Sequence, residues 1–419
     1  MNKIYTFGLL LFLISTTLTA QITKHALFLG NSYTAVNNLP QLTASLSLSA
    51  GDSLVYNQNT PGGYTLQGHS TNAVSLSLIQ QGSWDYVILQ EQSQKPSWPI
   101  SQVISDVFPY AESLSNSIRA ANPCATPLFY MTWGRKNGDI NNCPNWPPVC
   151  SYEGMDSLLN LRYRMMADSN AAYVSPVGAV WRYIRSTNNK IELYAADESH
   201  PSLAGSYAAA CTFYTLIFQK DPMLITSDYG LDGDVALDIR SAAKLIAYDS
   251  LSKWNIGKFL PEAHFAASQV NDSVHFSNQS LYANNYHWNF GDGNSSTLFE
   301  PHHKYANSGA YHVQLEVTKC GKTDTTSVNI QVLPTSIIQA EQTKVNVYPN
   351  PIGNEINIQL DKYSTISNVQ VYSTDGKRIM YFDSMNGKNI KLETQNLSKG
   401  VYILSFELDA QKYQFRLVK

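Results

Sequence analysis

The stretch His25–Pro40, HALFLGNSYTAVNNLP, runs from a short apolar segment through a glycine and a polar pair into a helical pattern. A run of this length, rich in leucine and phenylalanine, reads as a buried strand, and the periodic segment from Leu39 reads as a helix. Ser32 therefore stands at a strand-to-helix junction. Two readings compete for it. Serine is a common helix N-cap, its hydroxyl accepting from a backbone N–H two or three residues on. A serine at a strand end is also a nucleophile when a base, an orienting acid and oxyanion donors exist elsewhere in the chain.

The pattern that begins at His25 repeats. HALFLG (25–30), DSLVYN (52–57), DYVILQ (85–90) and TPLFYMTW (126–133) are strand-like, while LPQLTASLSLSAG (39–51) and FPYAESLSNSIRAAN (108–122) have helical spacing. Strands alternating with helices predict a parallel sheet covered on both faces, a three-layer α/β sandwich over residues 21–260. Ligand sites in such sheets lie at the carboxyl ends of strands, and Ser32 follows one of those ends.

At 419 residues the chain exceeds one ordinary core, so several domains are expected. It is 43% hydrophobic and 15% charged with a formal net charge of -3, which is globular, and no basic block marks a nucleic-acid partner. Residues 1–20 read as a signal peptide: Lys3 precedes the apolar core Phe7–Ile14, and Thr19-Ala20 offers a small-residue exit. That core is too short to cross a bilayer, and no later segment reads as an integral membrane span. Of five cysteines, Cys143 and Cys150 bracket the Pro-rich loop CPNWPPVC, which a disulfide could close. A Cys124–Cys211 bond is conceivable, but the pairing is not deducible from spacing. No CxxC spacing or cysteine–histidine cluster offers a zinc site, so no metal is expected.

From about Pro261 the texture changes to short alternating strands, SVHFSN (273–278), NNYHWNFGDG (284–293), AYHVQLEVT (310–318) and TTSVNIQVL (325–333), the signature of a β-sandwich. Trp288, Phe290, Gly291, Asp292, Gly293, Pro301, His302, Tyr305, Gly309 and Tyr311 give the segment 261–333 a close resemblance to the polycystic-kidney-disease-type (PKD) module. Gly-Asp-Gly is expected to make a tight turn, Trp288 and Tyr311 to pack the core, and His302-His303 to be turn structure rather than a metal pair. Residues 334–343 read as a linker. Beyond it, the YPNP box (Tyr348–Pro351), the Asp375-Gly376 turn, Gly400-Val401-Tyr402 and a basic final strand resemble the C-terminal sorting domain of the type IX secretion system of Bacteroidetes, spanning 344–419. That resemblance implies a secreted or cell-surface protein whose partner is the type IX secretion machinery. The expected architecture is thus the α/β sandwich followed by two small C-terminal β-sandwich domains.

A second chemical constellation lies in YAADESHPSLAGSYAAAC (194–211). Asp197 and His200, three apart on a turn, can supply a base and the carboxylate that fixes its tautomer. Read alone, the motif is equally a helix entry with Asp197 as cap. Taken with GNSYT around Ser32, it resembles the SGNH (GDSL-like) hydrolase superfamily over roughly Lys24 to Leu216. Asn31 stands where that family usually has an aspartate. The resemblance implies a flavodoxin-like sheet, with Ser32 as nucleophile, His200 as general base and acid, and Asp197 orienting it. It also implies an oxyanion hole built from the N–H groups of Ser32 and Gly63 and a side-chain amide. The family's usual asparagine is missing after the strand DYVILQ, and Gln92, or else Gln90, falls in its place. Trp133 and Arg135, after a further strand, are weaker candidates for substrate contact. No cofactor is called for.

The expected function is a secreted serine esterase acting on acyl, above all acetyl, esters carried by carbohydrate. A lipase, arylesterase or thioesterase on small acyl substrates is the enzymatic alternative. A glycan-binding or adhesion protein with a degenerate hydrolase domain is the non-enzymatic one.

Overall fold

The computed structural model of the protein describes residues 21–270, 273–333, 345–409 and 411–419. The signal-peptide reading and the linker at 334–343 fall outside the described residues. The first body contains a five-stranded sheet of β1 (Thr23–Leu29), β2 (Ser53–Asn59), β3 (Tyr86–Leu89), β4 (Thr126–Tyr130) and β5 (Tyr173–Ser175). Its strand order is β2-β1-β3-β4-β5, and every neighbouring pair is parallel. The helices α1 (Ser32–Ala35), α2 (Leu39–Ser49), α3 (Leu66–Thr71), α4 (Ala73–Gln80), α5 (Ile100–Asp106), α6 (Phe108–Ala121) and α7 (Tyr152–Ser169) lie between strands in the chain, and α8 (Val177–Thr187), α9 (Leu203–Phe218) and α10 (Gly233–Ile246) follow β5. Helices α2, α8, α9 and α10 pack as one layer and α3, α4, α6 and α7 as the other, giving the three-layer sandwich. The second half of β1 and all of β3 are buried on both faces, which is why they read as unbroken apolar runs rather than alternating ones.

Register fixes where the chain can present chemistry. Leu29 at the end of β1 pairs with Asn59 and with Leu89, so β1, β2 and β3 end level with one another. The residues that follow, Gly30-Asn31-Ser32, the 60–65 loop and Gln90-Glu91-Gln92, therefore emerge side by side. The strand order reverses at β1, with β2 on one side and β3 on the other, and that is the place where such folds open a crevice.

Helix α9 is buried along almost its whole length, from Ala204 to Phe218. Its first turn packs so closely that a Cβ on Gly205 would lie 2.2 Å from the Leu193 carbonyl oxygen and 2.5 Å from the Trp181 ring. The Trp181 indole N–H also donates to the Gly205 carbonyl at 3.3 Å.

Also within the first body is the PKD-type module, with strands β6 (Phe265–Val270), β7 (Ser273–Asn278), β8 (Asn285–Asn289), β9 (Ser295–Ser296), β10 (His302–His303), β11 (Gly309–Lys319) and β12 (Lys322–Val332). They form a three-stranded sheet, β10-β7-β6, and a four-stranded sheet, β12-β11-β8-β9. Phe276, Trp288, Val313, Leu315 and Val317 are buried between them. Tyr311, expected in that core, is only half-buried. His302-His303 form a short strand on β7 rather than a turn, and His303 lies 2.7 Å from the Asp292 carboxylate. No cluster of metal-ligating side chains occurs among the described residues.

The second body consists mainly of the C-terminal antiparallel strands β13 (Asn346–Tyr348), β14 (Glu355–Ser373), β15 (Arg378–Glu393), β16 (Val401–Leu408) and β17 (Gln411–Val418). Its own core is built from Ile356, Ile358, Val369, Val371, Leu404 and Phe406.

Two disulfides form. Cys143–Cys150 closes the Pro-rich loop. Cys124 pairs with Cys320, 196 residues away, and not with Cys211, which is a free thiol inside α9. Cys124 lies in the turn before β4 and Cys320 at the tip of the β11–β12 hairpin, so the bond ties the PKD-type module to the α/β domain.

The packing at α9 gives a stability prediction. Alanine would improve helix propensity by about 1 kcal/mol at Gly205, but overlap with a backbone oxygen and a buried indole costs roughly 1–3 kcal/mol or more, so overlap wins. Thermal unfolding of Gly205→Ala should show a lower midpoint than wild type. Gly62→Ala, whose Cβ would meet nothing within 4 Å, should show none of that loss.

Candidate active site

The strand end at Leu29 delivers Gly30, Asn31 and Ser32 into α1. Asn31, not Ser32, is the helix N-cap: its side-chain oxygen accepts from the Tyr33 N–H at 3.1 Å. Ser32 is the first helical residue, and its hydroxyl is released from capping. This corrects the simpler reading of the motif, in which the serine itself caps the helix.

Ser32 Oγ lies 2.8 Å from His200 Nε2, across 168 residues of chain. His200 Nδ1 is 2.5 Å from Asp197 Oδ2, and Asp197 Oδ1 accepts from the backbone N–H groups of Ser199 and His200. Burial opposes the ionised form of Asp197, but the hydrogen bonds from His200 and from the two N–H groups outweigh it and hold the carboxyl below its usual value. The turn bearing these residues is closed by a bridge between Tyr194 and Pro201, with Ala195 N–H donating to the His200 carbonyl at 2.8 Å and Glu198 taking a left-handed φ of 59°. Ser202 caps α9 by accepting from Gly205 N–H, so Asp197 is not the helix cap.

Beneath the turn runs an aromatic stack. Tyr33 lies parallel to Trp133 at 4.9 Å, and Trp133 lies parallel to Trp181 at 3.7 Å. The Tyr33 hydroxyl is 2.6 Å from Ser199 Oγ, and the Trp133 indole donates to the Ser199 carbonyl at 3.1 Å. Trp133 is fully buried, so the expectation that it contacts substrate is overturned; it is a floor under the histidine turn. Arg135 is partly exposed, beside the Tyr33 hydroxyl and 3.8 Å from the buried Asp139 carboxylate.

The glutamines behave differently from one another. Gln90 is fully buried, and its amide is wholly committed: Oε1 accepts from Asn31 N–H at 3.0 Å and Thr34 Oγ1 at 2.9 Å, while Nε2 donates to Asn31 Oδ1 and the Glu91 carbonyl. With both amide hydrogens used, Gln90 is not an oxyanion donor, contrary to the alternative raised from sequence. Its partner Asn31 also donates from Nδ2 to the Tyr64 carbonyl at 2.8 Å, a bond no aspartate could make. The departures at Asn31 and Gln90 from the usual motif residues are thus two halves of one contact. Gln92 spends its oxygen on the N–H groups of Gln94 and Lys95 and one amide hydrogen on Gln94, and keeps the other amide hydrogen without a partner among the described residues. Among those residues, the backbone N–H groups of Ser32 and Gly63 also lack acceptors.

Two further groups carry no obvious signal in the sequence. His69 is fully buried, with Nε2 2.9 Å from the Gly30 carbonyl and Nδ1 2.7 Å from Ser75 Oγ. Burial keeps its imidazole below the usual value, so it anchors the turn as a neutral ring. Glu91 is also fully buried; its carboxylate accepts from Gln92 N–H at 2.6 Å and Leu66 N–H at 3.1 Å, pinning the strand end to the start of α3. Burial pushes its carboxyl up to about 7, with the two N–H groups and Lys95 pulling the other way.

Residues 346–419 match the secretion system C-terminal sorting domain family, and residues 260–332 match the PKD domain family. No curated protein matches the chain. Among solved structures, a candidate SGNH hydrolase from Slackia heliotrinireducens is similar at 28% identity, covering 46% of this chain and 97% of its own, with a TM-score of 0.39. A DUF4886 family protein from Bacteroides uniformis is similar at 18% identity, covering 55% and 95%, with a TM-score of 0.47. The psychrotrophic esterase EstA from Pseudoalteromonas sp. is similar at 14% identity, covering 47% and 97%, with a TM-score of 0.33.

The buried Glu91 predicts a particular pH dependence of stability. Because its folded-state value lies above the ordinary 4.5, the folded chain holds a proton that the unfolded chain has already lost between those values. Its contribution is therefore fully present below about pH 4.5 and fades as pH rises through about 7. Between pH 5 and 8, wild type should lose on the order of 1–3 kcal/mol relative to Glu91→Gln, read from denaturant midpoints of both proteins. Parallel curves would contradict the assignment.

Proposed function

We propose that the α/β domain is a serine esterase of the SGNH class, with Ser32 as nucleophile, His200 as general base and acid, and Asp197 as the carboxylate that orients the imidazole. The observation that carries this reading is the unbroken line of contacts from Asp197 Oδ2 through His200 to Ser32 Oγ, at 2.5 and 2.8 Å. A serine alcohol is a weak nucleophile until a base takes its proton, and a base fixed by a carboxylate on its far nitrogen holds the correct tautomer.

His200 Nε2 accepts the Ser32 proton as Oγ bonds to the ester carbonyl carbon. The carbonyl oxygen then carries negative charge, which preorganised donors stabilise more effectively than water. The N–H groups of Ser32 and Gly63 and the remaining amide hydrogen of Gln92 are the assigned donors, and the position of Ser32 in the first turn of α1 adds an oriented peptide dipole. Collapse breaks the bond to the leaving alcohol, which departs with the proton from His200. Water then adds to the acyl carbon, giving its proton to His200, and the second collapse returns that proton to Ser32 and frees the acid.

The substrate class is acyl, above all acetyl, esters on carbohydrate, with Arg135 as a cation able to meet the sugar or the acyl oxygen. Support for that class is the company the domain keeps, a PKD-type module and a secretion-system C-terminal sorting domain. Wild type should hydrolyse 4-nitrophenyl acetate and release acetate from acetylated xylan. Ser32→Ala should lower kcat/KM by roughly a thousandfold or more, and long-chain 4-nitrophenyl esters should be poorer substrates than the acetate. Equal rates for wild type and Ser32→Ala would overturn the triad assignment, and preference for long chains would move the substrate class toward lipids.

A further inference from the structure

The end of the sheet opposite Ser32 holds a cavity of about 500 Å³ where the PKD-type module meets the α/β domain. It opens beside the first residues of β1, β3, β4 and β5, among them Lys24, Tyr86, Thr126 and Tyr173. The seven residues of β1 separate it from the serine by roughly 20 Å. Its size falls within the roughly 300–1,000 Å³ of small-molecule sites.

The charges around the cavity do not balance. Lys24, Arg119, Lys319 and Lys322 line it, against the single carboxylate of Asp85. Asp85 is already engaged, by Lys24 at 3.8 Å and by the His25 N–H at 2.8 Å. Arg119 is anchored through Nη2 to the carbonyls of Asn170 and Ala171, leaving Nε and Nη1 without acceptors among the described residues. Lys319 and Lys322 have no carboxylate partner among those residues. Burial, and then the charge of Arg119, pull the Lys319 ammonium below its usual value, so the charges of these two cations oppose one another.

The backbone that carries two of these lysines is pinned. Lys319 and Lys322 flank Cys320, and the Cys124–Cys320 bond fastens that hairpin tip to the turn before β4. A protein selected only for stability gains nothing by locking unpaired cations around a hollow; an anion in the hollow removes the repulsion. The remaining wall is aromatic and amphipathic. Tyr282 lies edge-on to Phe259 at 5.3 Å across the two domains, and Tyr173 completes the surface. Such rings offer an apolar face and a hydroxyl, which suits the mixed surface of a sugar.

We propose that this cavity binds a carboxylate-bearing saccharide, a uronic-acid residue of an acidic glycan, with the carboxylate held by Arg119, Lys319 and Lys322 and the ring against Tyr173 and Tyr282. Guanidinium and carboxylate match in geometry, and the pairing is charge-assisted. The two sites would let one chain hold an acidic polysaccharide at one pole while presenting the serine at the other. The assignment stands apart from the esterase reading, because it uses none of the residues around Ser32.

Titration calorimetry on the full chain carrying Ser32→Ala tests it, with a glucuronic-acid-substituted xylotetraose as ligand, and unsubstituted xylotetraose and sodium phosphate as the other arms. The acidic oligosaccharide should bind, the neutral one at least about tenfold more weakly, and added salt should weaken the acidic arm. Lys319→Ala with Lys322→Ala should reduce affinity at least about tenfold, with the unfolding midpoint retained. The same pair of changes in the Ser32-containing chain should leave 4-nitrophenyl acetate hydrolysis as it was. No heat from the acidic ligand, equal binding of the neutral one, or phosphate bound as tightly as the saccharide would each overturn the proposal. Loss of ester hydrolysis in Ser32→Ala is a separate outcome and bears only on the triad.

Discussion

The site depends on one buried contact, the pairing of the Asn31 and Gln90 side-chain amides between the ends of β1 and β3. Gln90 accepts from the Asn31 backbone and donates to its side chain, and Asn31 in turn caps α1 and reaches the Tyr64 carbonyl. These bonds lie in a fully buried position, where an unmet amide costs about 1–3 kcal/mol. They leave little freedom in the turn that carries Ser32. A Cβ on Gly30 would lie 2.4 Å from Thr34 Oγ1 and 2.7 Å from Gln90 Oε1, so the close approach also demands glycine there. Because Asn31 serves the helix, the Ser32 hydroxyl is left to His200.

The histidine turn is supported from below rather than by the sheet. Tyr33, next in chain to the serine, stacks on Trp133, and both bond to Ser199. The serine turn and the histidine turn are thus joined by an aromatic floor as well as by the Ser32–His200 contact. His69 and Glu91 perform the same service on the other side, tying α3 to Gly30 and to Gln92. Around the proposed nucleophile, then, most of the polar groups named above have a structural task, and among the described residues the N–H groups of Ser32 and Gly63, one hydrogen of Gln92 and the Arg135 guanidinium Nε are donors without a partner.

Much of this was legible in the sequence, and the exceptions have physical causes. The parallel sheet follows from apolar runs alternating with helical periods, since strands buried on both faces cannot alternate. Ser32, Asp197 and His200 could be singled out as candidates because each lies in a short local motif, and the structure brings their side chains into contact. Partner choice is not local, and there the reading failed. Nothing in the stretch LQEQS distinguishes a glutamine that donates to a ligand from one that locks Asn31, because the difference is the position of another strand. Trp133 reads identically as a sugar platform or as a floor until its two stacking neighbours are known. Cys124 finds Cys320 across 196 residues, which spacing cannot reveal. Asn31 and Gln90 both depart from the expected motif, and that joint departure was the available hint that they touch.

The central claim is that Ser32 is activated by His200 for attack on an acyl carbon. The most direct measurement is intact-protein and peptide mass analysis after treatment with a fluorophosphonate, which reports nucleophilic attack by itself, independent of any chosen ester. A single adduct on the peptide containing Ser32, absent from Ser32→Ala and strongly slowed in His200→Ala, is the predicted result. Absence of an adduct on the folded wild-type chain, or labelling at another residue with Ser32 unmodified, would contradict it.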